Sequence, residues 1–122
     1  MLNFFKKRQI LLRTNALELI PVRLHSFDTD SKGIVTIKIP KISNEKLANR
    51  IIPKSRSKYS TLELDEIGSA VWQEINGEQK TEQICSRMAD RFGDKIHPVQ
   101  ERVVKFLSGL YNNKCLTFKQ LQ

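Results

Sequence analysis

The sequence is short of the residues from which small enzymes build their sites. Glycine occurs 5 times in 122 residues, and histidine and cysteine twice each. There is no glycine-rich phosphate loop, no GxSxG elbow and no local Cys/His pairing, so a nucleotide-binding loop or a hydrolase nucleophile is not indicated. His25 and His97 stand far apart in the chain, without HxxxH or HxxE spacing, which argues against a histidine metal pair. Cys85 and Cys115 are separated by a long segment with no CxxC, so the expectation is two reduced, buried thiols rather than a zinc site or a disulfide scaffold. Asp28 and Asp30 resemble half of a calcium loop, but the other ligands are missing and a turn calls for aspartates anyway. No run comes near the roughly 18 apolar residues of a membrane span, and Lys6, Lys7 and Arg8 stand where an export signal needs its apolar core. The expectation is a cytoplasmic chain that is not an enzyme, with no catalytic residue, no metal and no cofactor.

What is present is a modest apolar complement and an uneven charge. A hydrophobic fraction of 39% and a charged fraction of 28% suit one small globular domain. The net charge of +8 is concentrated in the first half: residues 1–60 hold 13 Lys and Arg against 4 Asp and Glu, and residues 61–122 hold 8 against 9. That asymmetry points to an anionic partner such as nucleic acid, a membrane surface or an acidic peptide, although net charge also keeps a small protein in solution. Residues 1–17 mix Phe4, Phe5, Ile10, Leu11 and Leu12 with basic residues and contain no acid. They are assigned as a basic tail, residues 18–118 as the domain and 119–122 as a C-terminal tail.

Strand signals come first along the domain. "LIPVRLHSF" and "GIVTIKIP" flank "DTDSKG", whose aspartates and Gly33 are turn chemistry, and together they predict a β-hairpin. Val35, Ile37 and Ile39 share one face of its second strand, and Pro40 should end that strand or sit at a sheet edge. Residues 41–57 form a basic connector with a short helix capped by Ser43 or Asn44 and stopped before Pro53. "KYSTLEL" offers a third strand, with Ser60, Leu62 and Leu64 on one side and Tyr59, Thr61 and Glu63 on the other.

Three helices follow. Asp65 is the N-cap of the first, Ile67, Val71 and Ile75 are its stripe, and Gly77 lies just past its end. Trp72 is placed at the core margin. Thr81 is assigned as the cap of the second helix, which carries Ile84, Met88 and Phe92 on one face with Cys85 beside them and is closed by Gly93. The third helix runs from about Pro98 to about Asn112, with Val99, Val103, Phe106, Leu107 and Leu110 as its core stripe. Val104 and Tyr111 widen its apolar arc, so the helix is either gripped by two neighbours or lines a groove for a partner.

The order of elements predicts an α+β, winged-helix-like fold, an N-terminal three-stranded antiparallel sheet followed by a three-helix bundle. Such a domain binds DNA or protein. The helices that would read DNA mix Arg87, Arg91, Arg102 and Lys105 with Glu82, Asp90 and Glu101, which is not a basic reading face. Nucleic-acid binding through the basic first half is therefore the second reading.

From Leu62 to Phe118 the chain resembles the PqqD family, small peptide chaperones of pyrroloquinoline quinone biosynthesis and recognition elements of ribosomal-peptide modification systems. "LELDEIGSAVWQEING" is similar to the family's first helix and its Asn-Gly turn. "TEQICSRMADRFG" is similar to the second, and "VQERVVKFLSGLYNNKCL" to the third with its terminal turn. The resemblance implies a non-catalytic adaptor. An extended leader peptide would add as a strand to the third strand, lie against the third helix and be handed to a radical SAM enzyme. Carried onto this chain, the edge is Lys58, Tyr59, Ser60, Thr61, Leu62 and Glu63. Val104, Leu107 and Tyr111 are the expected apolar wall, and Arg102 and Lys105 the expected charge contacts. The basic connector would favour an acidic peptide. On this reading Val104→Asp should abolish capture while the fold survives.

Overall fold

The structure is a computed structural model that describes residues 15–41 and 59–122. A 3₁₀ turn at Ala16–Glu18 leads to strands β1 (Pro21–Arg23), β2 (Phe27–Thr29), β3 (Val35–Pro40) and β4 (Tyr59–Glu63). Helices α1 (Glu66–Glu74), α2 (Thr81–Phe92) and α3 (Val99–Asn112) follow, then strand β5 (Leu116–Phe118) and a 3₁₀ turn at Lys119–Leu121. An antiparallel sheet followed by three helices is the expected α+β arrangement. The expected helix at Ser43 or Asn44, the rest of the connector after Lys41, Lys58, and residues 1–14 of the expected tail lie outside the described residues.

The hairpin is set by its turn. Asp30 Oδ1 accepts hydrogen bonds from the N–H groups of Lys32 (2.8 Å) and Ile34 (3.0 Å), and Gly33 takes φ +84°. This is the aspartate turn that the sequence specifies, and it pairs Phe27 with Ile37 and Thr29 with Val35. The first hairpin strand is shorter than expected, however. "LIPVRLHSF" is not one strand but two, and β1 pairs antiparallel with β5, Pro21 opposite Phe118, in a separate two-stranded sheet. The ladder to β3 reaches back only as far as Ser26, whose carbonyl accepts from the Lys38 N–H. Beyond it the chain bends away to meet the C-terminus. Pro40 closes β3 as expected, and its missing N–H falls past the end of β2.

The second sheet joins the segment at Pro21–Arg23 to the C-terminal segment at Leu116–Phe118. Residues 116–118 form a strand where only a turn was expected, and Leu116, Phe118 and Leu121 are all buried. Gln120 joins the ends of the domain: its side chain accepts from the Ile20 N–H at 3.1 Å and donates to the Glu18 carbonyl at 3.1 Å. Thr81 is not the cap of α2 but its first residue, and its hydroxyl and N–H both donate to the Leu19 carbonyl at 2.9 Å. The α2 start is served instead by Gln83, whose side-chain oxygen accepts from the Lys80 N–H.

Asp65 caps α1 as expected, accepting from Gly68 N–H at 2.7 Å, and Gly93 ends α2 with φ +54°. Trp72 is not marginal: it is fully buried and meets the Phe27 ring edge to face, centroids 5.8 Å apart. Of the expected core stripes, Val71, Ile75, Ile84, Met88, Val103, Leu107 and Leu110 are buried in one cluster with Val35 and Ile37 of the sheet, whereas Ile67, Phe92, Val99 and Phe106 are only partly buried at its margin.

Candidate functional site

The sheet order is β2-β3-β4, so β4 is an edge strand among the described residues. Antiparallel pairing alternates, and only every second residue turns its backbone groups toward the neighbour. The phase here is fixed by Leu64, whose N–H donates to the Val35 carbonyl at 2.9 Å. At that pair the return bond is bridged by a buried hydroxyl. Val35 N–H donates to Ser69 Oγ at 2.8 Å, and Ser69 Oγ donates to the Leu64 carbonyl at 3.4 Å. Leu62 and Ser60 then also face β3, opposite Ile37 and Ile39. Thr61 and Glu63 consequently direct their N–H and C=O groups away from β3, where no described strand pairs with them. All five β4 residues are exposed, Leu62 at 36%.

Helix α3 has two flanks, each with its own cavity. On the first, Ile67, Gly68 and Val71 of α1 face Arg102, Val103 and Phe106 across a cleft of about 170 Å³ that also touches Asp65, two residues past the end of β4. The helices approach closely at Gly68, where a Cβ would lie 3.0 Å from Phe106 Cε1 and 2.9 Å from Asp65 Oδ1. Beside this cleft is a more open depression of about 490 Å³ lined by His97, Pro98, Glu101, Arg102, Lys105 and Phe106. Arg102 and Phe106 border both. Arg102 is held in place there, since its Nη1 donates to the Lys95 carbonyl at 2.8 Å.

On the second flank, Val104, Leu107 and Tyr111 line a cavity of about 160 Å³ with Leu19, Thr81 and Phe118. Tyr111 and Phe118 stack at 5.5 Å between ring centroids. No β4 residue lines this cavity, the cleft or the depression, and the cleft comes nearest the strand in sequence, at Asp65. The structure therefore brings Arg102 and Lys105 together on the side of α3 that meets the start of α1, and it sets Val104, Leu107 and Tyr111 on the other side, against the terminal layer. Ile67 and Phe106, read from sequence only as core stripe, are half-buried cleft residues. The signal that could have found them is Gly68, an interior helix glycine that admits a ring from the facing helix.

Reactive chemistry is sparse around these surfaces. Both thiols are buried, and burial raises the pKa of Cys85 and of Cys115, which disfavours the nucleophilic thiolate. His25 is half-buried beside β1, and His97 is exposed at the start of α3. Among the described residues no group of three or more His, Cys, Asp or Glu could hold a metal ion, and no helix is long and apolar enough to cross a membrane.

A family model described as "Coenzyme PQQ synthesis protein D (PqqD)" matches residues 53–116, which takes in β4, all three helices and the first residue of β5. No curated protein and no solved structure matches the chain significantly.

Proposed function

The chain belongs to the PqqD family, and on that premise we propose that it is a non-catalytic adaptor that captures an extended peptide and presents it to a modifying enzyme. The winged-helix-like frame supplies an edge rather than a reaction site. The observation that carries the reading is the outer side of β4, where the backbone groups of Thr61 and Glu63 face away from β3; the α1/α3 cleft is reached two residues further along the chain, at Asp65. Strand addition takes its affinity from main-chain hydrogen bonds and its choice of partner from adjoining pockets. A precursor or leader peptide is the partner this suits, with a radical SAM enzyme receiving it on the family pattern. The cleft between Ile67 and Phe106 is the pocket nearest the strand in sequence and the one we assign to peptide side chains.

The test is an amide-shift titration of the labelled protein with short peptides encoded near its gene and, separately, with duplex DNA. Shifts at residues 59–63 and along the α1 side of α3 are expected with peptide. Thr61→Pro should weaken capture about tenfold or more, because it removes an outward N–H. The fold should survive, since that N–H does not serve the β3 ladder. Shifts with DNA alone, fading steeply as salt rises, would overturn the adaptor reading in favour of nucleic-acid binding.

A further inference from the structure

The cleft and the depression next to it differ in chemistry, and Arg102 stands where they meet. The cleft wall is largely apolar, and among the described residues its one carboxylate, Asp65, is engaged by the Gly68 N–H. The depression has Arg102 and Lys105 at its rim against Glu101, with His97 beside them. A guanidinium has five N–H donors. That of Arg102 donates once, to the Lys95 carbonyl, and its other donors have no partner among the described residues. Neither Arg102 nor Lys105 forms an ion pair among those residues. Anchoring removes part of the entropy that a long exposed side chain would lose on binding, and it leaves a planar fork free for a carboxylate.

We propose that Arg102 reads a carboxylate in the captured peptide, and that this acidic residue lies two positions from an apolar residue seated between Ile67 and Phe106. The inference rests on the capture reading above. Its spacing follows from strand geometry. In an extended peptide, residues i and i+2 point to the same face, about 7 Å apart, whereas neighbours point to opposite faces. An apolar side chain entering the cleft therefore carries its second neighbour, and not its first, toward the adjoining depression. Lys105 has no such anchor and contributes a less directional attraction. The peptide class is thus one with an apolar residue and an Asp or Glu separated by one residue, which is a sharper requirement than acidity alone.

The test uses fluorescein-labelled synthetic dodecapeptides of Thr and Ser that carry one Leu and one Asp. Asp stands either adjacent to Leu or two residues from it, on either side. Anisotropy gives the affinity, and amide shifts at residues 59–63 report whether the peptide is on the strand edge. At least one Leu-x-Asp spacing should bind about tenfold tighter than the adjacent pair, the effect expected of one well-placed charge-assisted contact. Arg102→Gln should abolish that preference, so that all spacings bind alike, and Lys105→Gln should weaken all spacings to a similar degree and keep the preference. Equal affinity for all spacings with intact shifts at 59–63, or a preference that survives in Arg102→Gln, would overturn this inference alone. No shift at 59–63 with any of the peptides would overturn the capture reading and this inference with it.

Discussion

The two flanks of α3 are built from similar apolar residues and covered differently. The flank of Val104, Leu107 and Tyr111 is closed by the segments around Leu19 and Phe118. The segment that brings Leu19 there is held by Thr81 and Gln120. Lys119 N–H adds a backbone bond to the Ile20 carbonyl at 2.8 Å. Among the described residues the flank of Arg102 and Phe106 meets only the first turns of α1 and the turn before α3, beside a depression lined by charged residues. A wide apolar arc on a helix therefore does not by itself identify a ligand surface. What separates the two flanks is how many backbone hydrogen bonds hold the covering segment down, because a surface stitched by several cannot be lifted cheaply for a partner.

This contrast is sharpest at the terminal layer. Phe118 is nearly fully buried, and Phe118→Ala should cost about 3–5 kcal/mol of stability in a urea titration. The folded fraction should still capture peptide normally. A lower peptide affinity at unchanged stability would break the division between the flanks. A smaller effect is expected of Val104→Asp, which faces a carboxylate into the terminal cavity from a half-buried position. It should cost about 1–3 kcal/mol by leaving a charge poorly solvated, with peptide affinity within about twofold of the parent. Loss of capture with the melting temperature intact would instead restore the wider groove that the sequence suggested.

The parts of this molecule that could be read from the sequence are those whose specification is local. Asp65 and Gly93 mark helix ends through short-range bonds and backbone sign, and Asp30 with Gly33 makes its turn within five residues. The core stripes follow from helical period alone. What could not be read depends on contacts between distant residues. Nothing within "LIPVRLHSF" shows that Pro21 lies opposite Phe118, or that Thr81 spends its hydroxyl on Leu19 rather than on its own helix. The same holds for the site. The edge strand was recognisable from its residues, but the division of α3 depends on which side the Leu19 and Phe118 segments occupy. Periodicity places Val104 and Arg102 on a helical wheel without saying which neighbour lies beyond each.

The smallest predicted effect concerns the thiol in the terminal layer. Cys115 is fully buried at the turn into β5, where its N–H donates to the Leu110 carbonyl and its own carbonyl accepts from Leu24. Desolvation raises its pKa above the ordinary 9.0. The unfolded chain therefore sheds this proton at lower pH than the folded one. The contribution is fully present below pH 9 and is lost as pH rises from there through the folded value. The measurement is the stability difference between the parent and Cys115→Ala, followed from pH 7 to pH 11, so that titrations common to both cancel. The parent should lose its advantage progressively above pH 9. A pH-independent difference would mean that the thiol ionises alike in both states, and hence that the terminal layer opens often enough to hydrate it. The two flanks of α3 would then differ in what covers them but not in how firmly they are closed.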